Sequence, residues 1–169
     1  KPKDFELISM SKKDLNICDK NACENVLSHF KPDWVINAAA YTAVDEAEEN
    51  IKMAFAVNSN GPKNLSLALK KFGGYLLHIS TDFVFDGNTK FPYLTNNKVN
   101  PINVYGKSKL AGEEIIESIL GGTRQSFIIR TSWLMSPFGE NFLLTIFNLL
   151  KIKKEISVVN DQIGSPTSC

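Results

Sequence analysis

Tyr105 and Lys109 stand four residues apart in Asn103-Val104-Tyr105-Gly106-Lys107-Ser108-Lys109. On a helix that spacing sets a phenol and an ammonium on one face. A free phenol holds its proton to a pH of about 10, and a neighbouring cation stabilises the phenolate. Bringing the phenol from about 10 to about 7 requires roughly 4 kcal/mol of differential stabilisation. The pair alone is also what a half-buried helix with a packed tyrosine and a solvated lysine would show. Its context adds a second chemical group. Tyr75-Leu76-Leu77-His78-Ile79-Ser80-Thr81-Asp82 is an apolar run ending in two hydroxyls and a carboxylate. Such a run reads as a buried strand, and ligands of open parallel sheets bind beyond the carboxyl ends of strands. Ser80 and Thr81 would then meet a substrate oxygen. A hydroxyl, a phenol and an amine together can protonate a carbonyl oxygen as a hydride arrives at its carbon.

The elements that must position these groups can be followed along the chain. Phe5–Met10 and Asp14–Asp19 read as two short strands. Asp19 or Asn21 can cap a helix with Ala22, Val26, Leu27 and Phe30 along one side, which Pro32 ends. Trp34–Ala40 reads as a buried strand running into small residues, suited either to a ligand approaching the backbone or to tight packing. A helix is expected from Asp45 to Asn58, and another from Gly61-Pro62 until Gly73-Gly74 breaks it. A long loop spans Asp82 to Pro101. Tyr105 then opens a helix that Gly121-Gly122 closes, followed by a strand at Ser126–Arg130. Asn141–Ile152 reads as an amphipathic helix, Ile156–Val159 as a last strand and Gly164–Thr167 as a polar turn. Strands alternating with helices predict an α/β fold with a doubly wound parallel sheet.

The 169 residues are 43% hydrophobic and carry a formal charge of +1, enough for a real core. No basic stripe points to nucleic acid. Cys18, Cys23 and Cys169 have the spacing of neither a zinc site nor a disulfide framework, which implies a reducing, cytoplasmic setting. No apolar run is long enough to cross a membrane.

Five stretches occur in order: Asn37–Asp45 (Asn-Ala-Ala-Ala-Tyr-Thr-Ala-Val-Asp), Ser80–Gly87, Asn103–Lys109, Arg130–Trp133 and Asp161–Thr167. Together they resemble the extended short-chain dehydrogenase/reductases over nearly the whole chain. The resemblance implies a Rossmann-like fold and an NADPH-dependent (alternatively NADH-dependent) reduction of the C4 keto group of a nucleotide-linked 4-keto-6-deoxy sugar. It assigns catalysis to Thr81, Tyr105 and Lys109. Tyr105 would give the proton, Lys109 would lower its pKa and bond the nicotinamide ribose, and Thr81 would hold the carbonyl oxygen. The cofactor would be lined by Asn16, Ile17, Ala38, Ala39, Tyr41, Ser80, Tyr105 and Lys109. Asn16 stands where the family often has aspartate. Thr81, Asp82 and Trp133 would meet the sugar, although Trp133 also suits a core. Asn58 would support the catalytic geometry, or else be a buried asparagine bonded to backbone. Relatives use magnesium, but no metal-ligand set is legible. A homodimer is also implied.

The glycine-rich turn that opens a dinucleotide fold is not found in the sequence. The resemblance therefore implies a portion of a longer reductase, truncated at both ends. Residues 1–133 would form a partial dinucleotide-binding domain. Residues 134–169 would end that domain and begin the substrate-binding region. Two rivals come from the same family: a non-catalytic regulatory subunit of the methionine adenosyltransferase type, and another nucleotide-sugar enzyme such as an epimerase or dehydratase. Phe83 following Asp82, where a dehydratase would want a glutamate, argues against a dehydratase.

Overall fold

A computed structural model describes residues 5–169. Its first unit ends at Ile129 and its second is Arg130–Cys169. In the first unit, Asp19 caps α1 (Lys20–Phe30) by accepting the N–H groups of Asn21 and Ala22 at 2.8 and 3.1 Å. Lys31 ends the helix in the left-handed region at φ 43°, and the chain enters β1 (Trp34–Asn37). β1 runs parallel to β2 (Tyr75–Thr81), with Trp34 opposite Tyr75 and Asn37 opposite His78. β3 (Ser126–Thr131) flanks β2 on the other side.

Side chains alternate across a strand. Leu76, His78 and Ser80 are buried, while Tyr75 is exposed and Leu77 and Ile79 are half-buried. The buried set meets α1, α4 (Gly61–Phe72) and α5 (Val104–Leu120). Leu76 joins Cys23 and Leu27 of α1, Leu65, Ala68 and Leu69 of α4, and Ile116 and Leu120 of α5 in one core that also takes in Ile17. Each buried leucine or isoleucine contributes about 1.5–3 kcal/mol. On the opposite side of the sheet the first unit's apolar side chains are exposed. There Trp34 stacks on Tyr75 at 5.0 Å and meets Phe127 at 5.6 Å, and Ile36 is 62% exposed.

The expected strands at 5–10 and 14–19 do not form. A strand needs a ladder partner, and local bonds compete for the second segment's backbone. Asp14 accepts both the N–H and the hydroxyl of Ser11, at 2.8 and 2.6 Å, and Leu15 N–H returns to Ser11 O at 2.9 Å. β1 stops at Asn37, so Ala38–Ala40 lie beyond the strand. The helix expected over 45–58 is divided into α2 (Val44–Glu49) and α3 (Ile51–Phe55), parted at Asn50. A π-helical turn, Ala56–Asn60, then feeds α4. Asp82–Val84 forms a single 3-10 turn at the start of the expected long loop. Asn103 caps α5 by accepting Gly106 N–H at 2.7 Å, one turn before the helix delivers Lys109.

The second unit holds β4 (Leu134–Met135), α6 (Phe142–Ile152) and β5 (Thr167–Ser168). Ile156–Val159 has no ladder, and the end of the expected polar turn pairs instead, with Leu134 opposite Thr167. Hydroxyls hold that pairing. Ser132 Oγ donates to Ser165 O, and Thr167 Oγ1 to Ser132 O, both at 2.7 Å.

Candidate active site

Thr81 is the last residue of β2 and caps the turn that follows. Its Oγ1 accepts Phe83 N–H and donates to Asp82 Oδ1, both at 3.2 Å. Burial raises the pKa of Asp82, against the hydrogen bond from Thr81 and the backbone N–H groups of Asp82 and Phe83. Tyr105 enters from the first turn of α5. Its ring meets Phe83 edge-on at 5.5 Å and packs among Ala47, Ala54, Tyr41 and Val44. Burial holds the phenol above its ordinary pKa of 10, a hydrogen bond with Thr81 lowers it, and the charge of Asp82 raises it. The structure thus brings Thr81 and Tyr105 together, with the phenol in its protonated form.

Lys109 is only 2% exposed, which excludes a solvated lysine. Its Nζ donates to Ile79 O at 2.6 Å and lies 3.4 Å from His78 Nε2. Burial pulls its pKa down to about 8, with the charge of Glu113 pushing the other way. Glu113 is itself buried, four residues further along α5, and accepts a short hydrogen bond from Ser80 Oγ. Ser80 therefore turns toward the helix layer, while Thr81 ends the strand.

Asn58 ties the parts together. It accepts Tyr41 N–H at 2.8 Å and donates to Tyr41 O at 3.0 Å and to Ser108 Oγ at 2.9 Å. The Ser108 hydroxyl in turn donates to Tyr105 O at 2.8 Å. The π turn aims Asn58 inward, a use such turns often serve. Two glycines let α5 approach. A Cβ at Gly112 would sit 2.2 Å from Asn58 O, and one at Gly106 would sit 2.3 Å from Phe83 O.

Of the other expected contacts, Ala38 and Ala39 are exposed just beyond β1, and Ala39 N–H donates to Asn37 Oδ1 at 3.2 Å. Tyr41 is half-buried, and Asn16 is exposed. The Ile17 side chain belongs to the core, and its carbonyl accepts Asn64 Nδ2 at 2.9 Å, so the expected cofactor contact of Ile17 is turned inward. Trp133, in the second unit, is 41% exposed and takes a left-handed φ of 45°. It is not a core tryptophan. Its ring lies against Gly164 and 6.1 Å from Phe142. Among the described residues no group of three or more His, Cys, Asp or Glu could hold a metal ion, and magnesium gains no support. Sequence reasoning missed Asn37, His78, Ser108 and Glu113 as parts of this network. One signal was available: two adjacent strands carry polar residues, Asn37 on β1 and His78 on β2, beside apolar ones on the same face.

A family model described as the RmlD substrate binding domain matches residues 1–169. The chain belongs to that family. Among curated relatives, it is 41% identical over 163 residues to the spore coat polysaccharide biosynthesis protein SpsK of Bacillus subtilis, covering 96% of this chain and 56% of that one. It is 39% identical to a dTDP-4-dehydrorhamnose reductase of Aggregatibacter actinomycetemcomitans, covering 96% and 54%. A solved dTDP-4-dehydrorhamnose reductase of Bacillus anthracis, in complex with NADP, superposes with a TM-score of 0.95 at 39% identity. That superposition covers 99% of this chain and 59% of the relative. The Clostridium acetobutylicum reductase gives 0.94 at 42% identity over the same shares. The chain spans about half the length of the curated relatives it matches. The Rossmann-like α/β reading of the sequence agrees with these folds. No helix among the described residues is long and apolar enough to cross a membrane.

Proposed function

We propose that this chain carries the proton-delivering half of a dTDP-4-dehydrorhamnose reductase. The reaction is NADPH-dependent reduction of the C4 keto group of dTDP-4-dehydro-6-deoxy-L-mannose to give dTDP-L-rhamnose. The observation that carries the reading is the convergence of Thr81, from the end of β2, on Tyr105, with Lys109 buried one turn further along the same helix. The names of the relatives supply the substrate.

The donor set suits a dinucleotide. A phenol and an amine can bond ribose hydroxyls, and the exposed methyl side chains of Ala38 and Ala39 let a flat group approach the backbone. Tyr41 and Asn16 complete the cofactor side of the proposal. Bound NADPH supplies the hydride. Thr81 hydrogen-bonds the C4 oxygen and Tyr105 gives it a proton. Lys109 bonds the nicotinamide ribose and stabilises the phenolate left behind. The raised pKa of Tyr105 keeps its proton available until hydride transfer makes the oxygen basic. Asp82 contacts the sugar. The reading includes a cytoplasmic homodimer, which sedimentation of the intact protein checks.

Tyr105→Phe in the intact protein tests the proposal. The ring still packs against Phe83 while the proton is lost. NADPH oxidation with the keto sugar should fall by about 10²–10⁴-fold, the usual worth of general acid catalysis, with an unchanged melting curve. Turnover near the wild-type rate would remove Tyr105 from the mechanism.

A further inference from the structure

His78 is fully buried in the middle of β2, and Asn37 lies beside it in register on β1. The Asn37 carboxamide has two ends in different use. Its Oδ1 accepts Ala39 N–H at 3.2 Å, so its Nδ2 faces His78 Nδ1 at 3.0 Å. An amide nitrogen only donates, so Nδ1 must accept. A neutral imidazole carries one N–H, which is thereby fixed on Nε2. The ring is neutral: burial, with the charge of Lys109 second, drives its pKa down to about 3. Nε2 points at Lys109 Nζ, 3.4 Å away. An ammonium has three donors and no acceptor, whereas an amine has a lone pair for that N–H. The Ile79 carbonyl, 2.6 Å from Nζ, accepts a hydrogen from either form.

We propose that Asn37 and His78 are positioning residues that fix the imidazole proton on Nε2 and so make the amine form of Lys109 accessible during turnover. The role of the pair in turnover rests on the reductase reading. The other charged groups around α5 are accounted for. Glu113, bound by Ser80, favours the ammonium. Asp82, after β2, acts on Tyr105. Glu48 of α2 accepts Val104 N–H at 2.8 Å, at the start of the helix. Lys52 of α3 and Lys63, Lys70 and Lys71 of α4 are exposed.

The test is Asn37→Asp in the intact protein, with Asn37→Leu as a second variant of similar size. A carboxylate only accepts, so in Asn37→Asp the imidazole proton moves to Nδ1 and Nε2 turns its lone pair on Lys109. Nitrogen-15 NMR of the histidines should show the Nε2–H form in wild type and the Nδ1–H form in Asn37→Asp. Titration of the Lys109 side chain by NMR should move upward by one pH unit or more in Asn37→Asp. The limb of the kcat/KM profile that depends on Lys109 should move with it, and Asn37→Leu should leave the imidazole tautomer mixed. An Nδ1–H imidazole in the wild type would overturn the proposal, as would a Lys109 titration that Asn37→Asp leaves in place. If the wild-type protein reduced no keto sugar, the reductase reading would fall, and the tautomer and titration results would still decide the role of the pair.

Discussion

At the scale of single residues, the site combines groups that burial pushes toward their uncharged forms. His78 held near 3 instead of its ordinary 6.5 has a consequence for stability. Between those values the unfolded chain binds a proton that the folded chain refuses. Stability from this group is complete above about pH 6.5 and is lost as pH falls toward 3. Lys109, held near 8 instead of 10.5, acts in the same direction at the alkaline end, where stability is gained as pH rises between the two values. Between pH 7 and pH 4 the His78 contribution comes to roughly 2–3 kcal/mol, or about 5–10 °C in a chain of this size. His78→Phe should flatten that slope, read as Tm against pH by calorimetry. Equal slopes for wild type and variant would mean that the ring is not held neutral. The residue-level chemistry was partly legible in the sequence. Tyr105, Lys109 and Thr81 are distinguished by type and spacing. The partners of Lys109 were hidden because they depend on register: Asn37 meets His78 only once β1 and β2 are paired.

At the scale of elements, caps were readable and interruptions were not. Asp19, expected with Asn21 as a cap, begins α1 by a local side-chain bond, and Asn103 does the same for α5. The break at Asn50 and the π turn at Ala56–Asn60 answer to tertiary demands, chiefly the need to aim Asn58 at Tyr41 and Ser108. The pairing of Leu134–Met135 with Thr167–Ser168 joins residues more than thirty positions apart, through hydroxyl bonds that no local pattern announces. Gly112 tests the packing of α5 on the π turn. Alanine there gains about 1 kcal/mol of helix propensity. Its Cβ would press on Asn58 O, a backbone atom that cannot swing aside, and overpacking typically costs about 1–3 kcal/mol. Gly112→Ala should therefore destabilise, and should lower turnover by displacing Asn58 from Ser108. Gly122→Ala, with nothing within 4 Å of the added methyl, is the control and should be neutral. Indistinguishable melting curves for the two variants would mean that α5 does not need its close approach.

At the scale of the whole molecule, the sheet is finished on one side only. Leu76, His78 and Ser80 are covered by helices, whereas Trp34, Ile36, Tyr75, Phe127 and Ile129 are all more than two-fifths exposed on the other face. β1 is an edge of its sheet among the described residues, pairing with β2 alone. A contiguous apolar face beside an unpaired edge favours association of the chain with itself or with other apolar surfaces. Residues 1–169 expressed alone should therefore bind a hydrophobic dye and sediment as a concentration-dependent mixture. Ile36→Lys with Phe127→Lys should reduce both effects without loss of helix content, because neither side chain belongs to the covered core. The paired lysines act through charge on an exposed face, so far-UV circular dichroism of the double variant should superpose on that of the wild type. A wild-type chain that sediments as one dye-free monomer at every concentration would show that this face does not drive association.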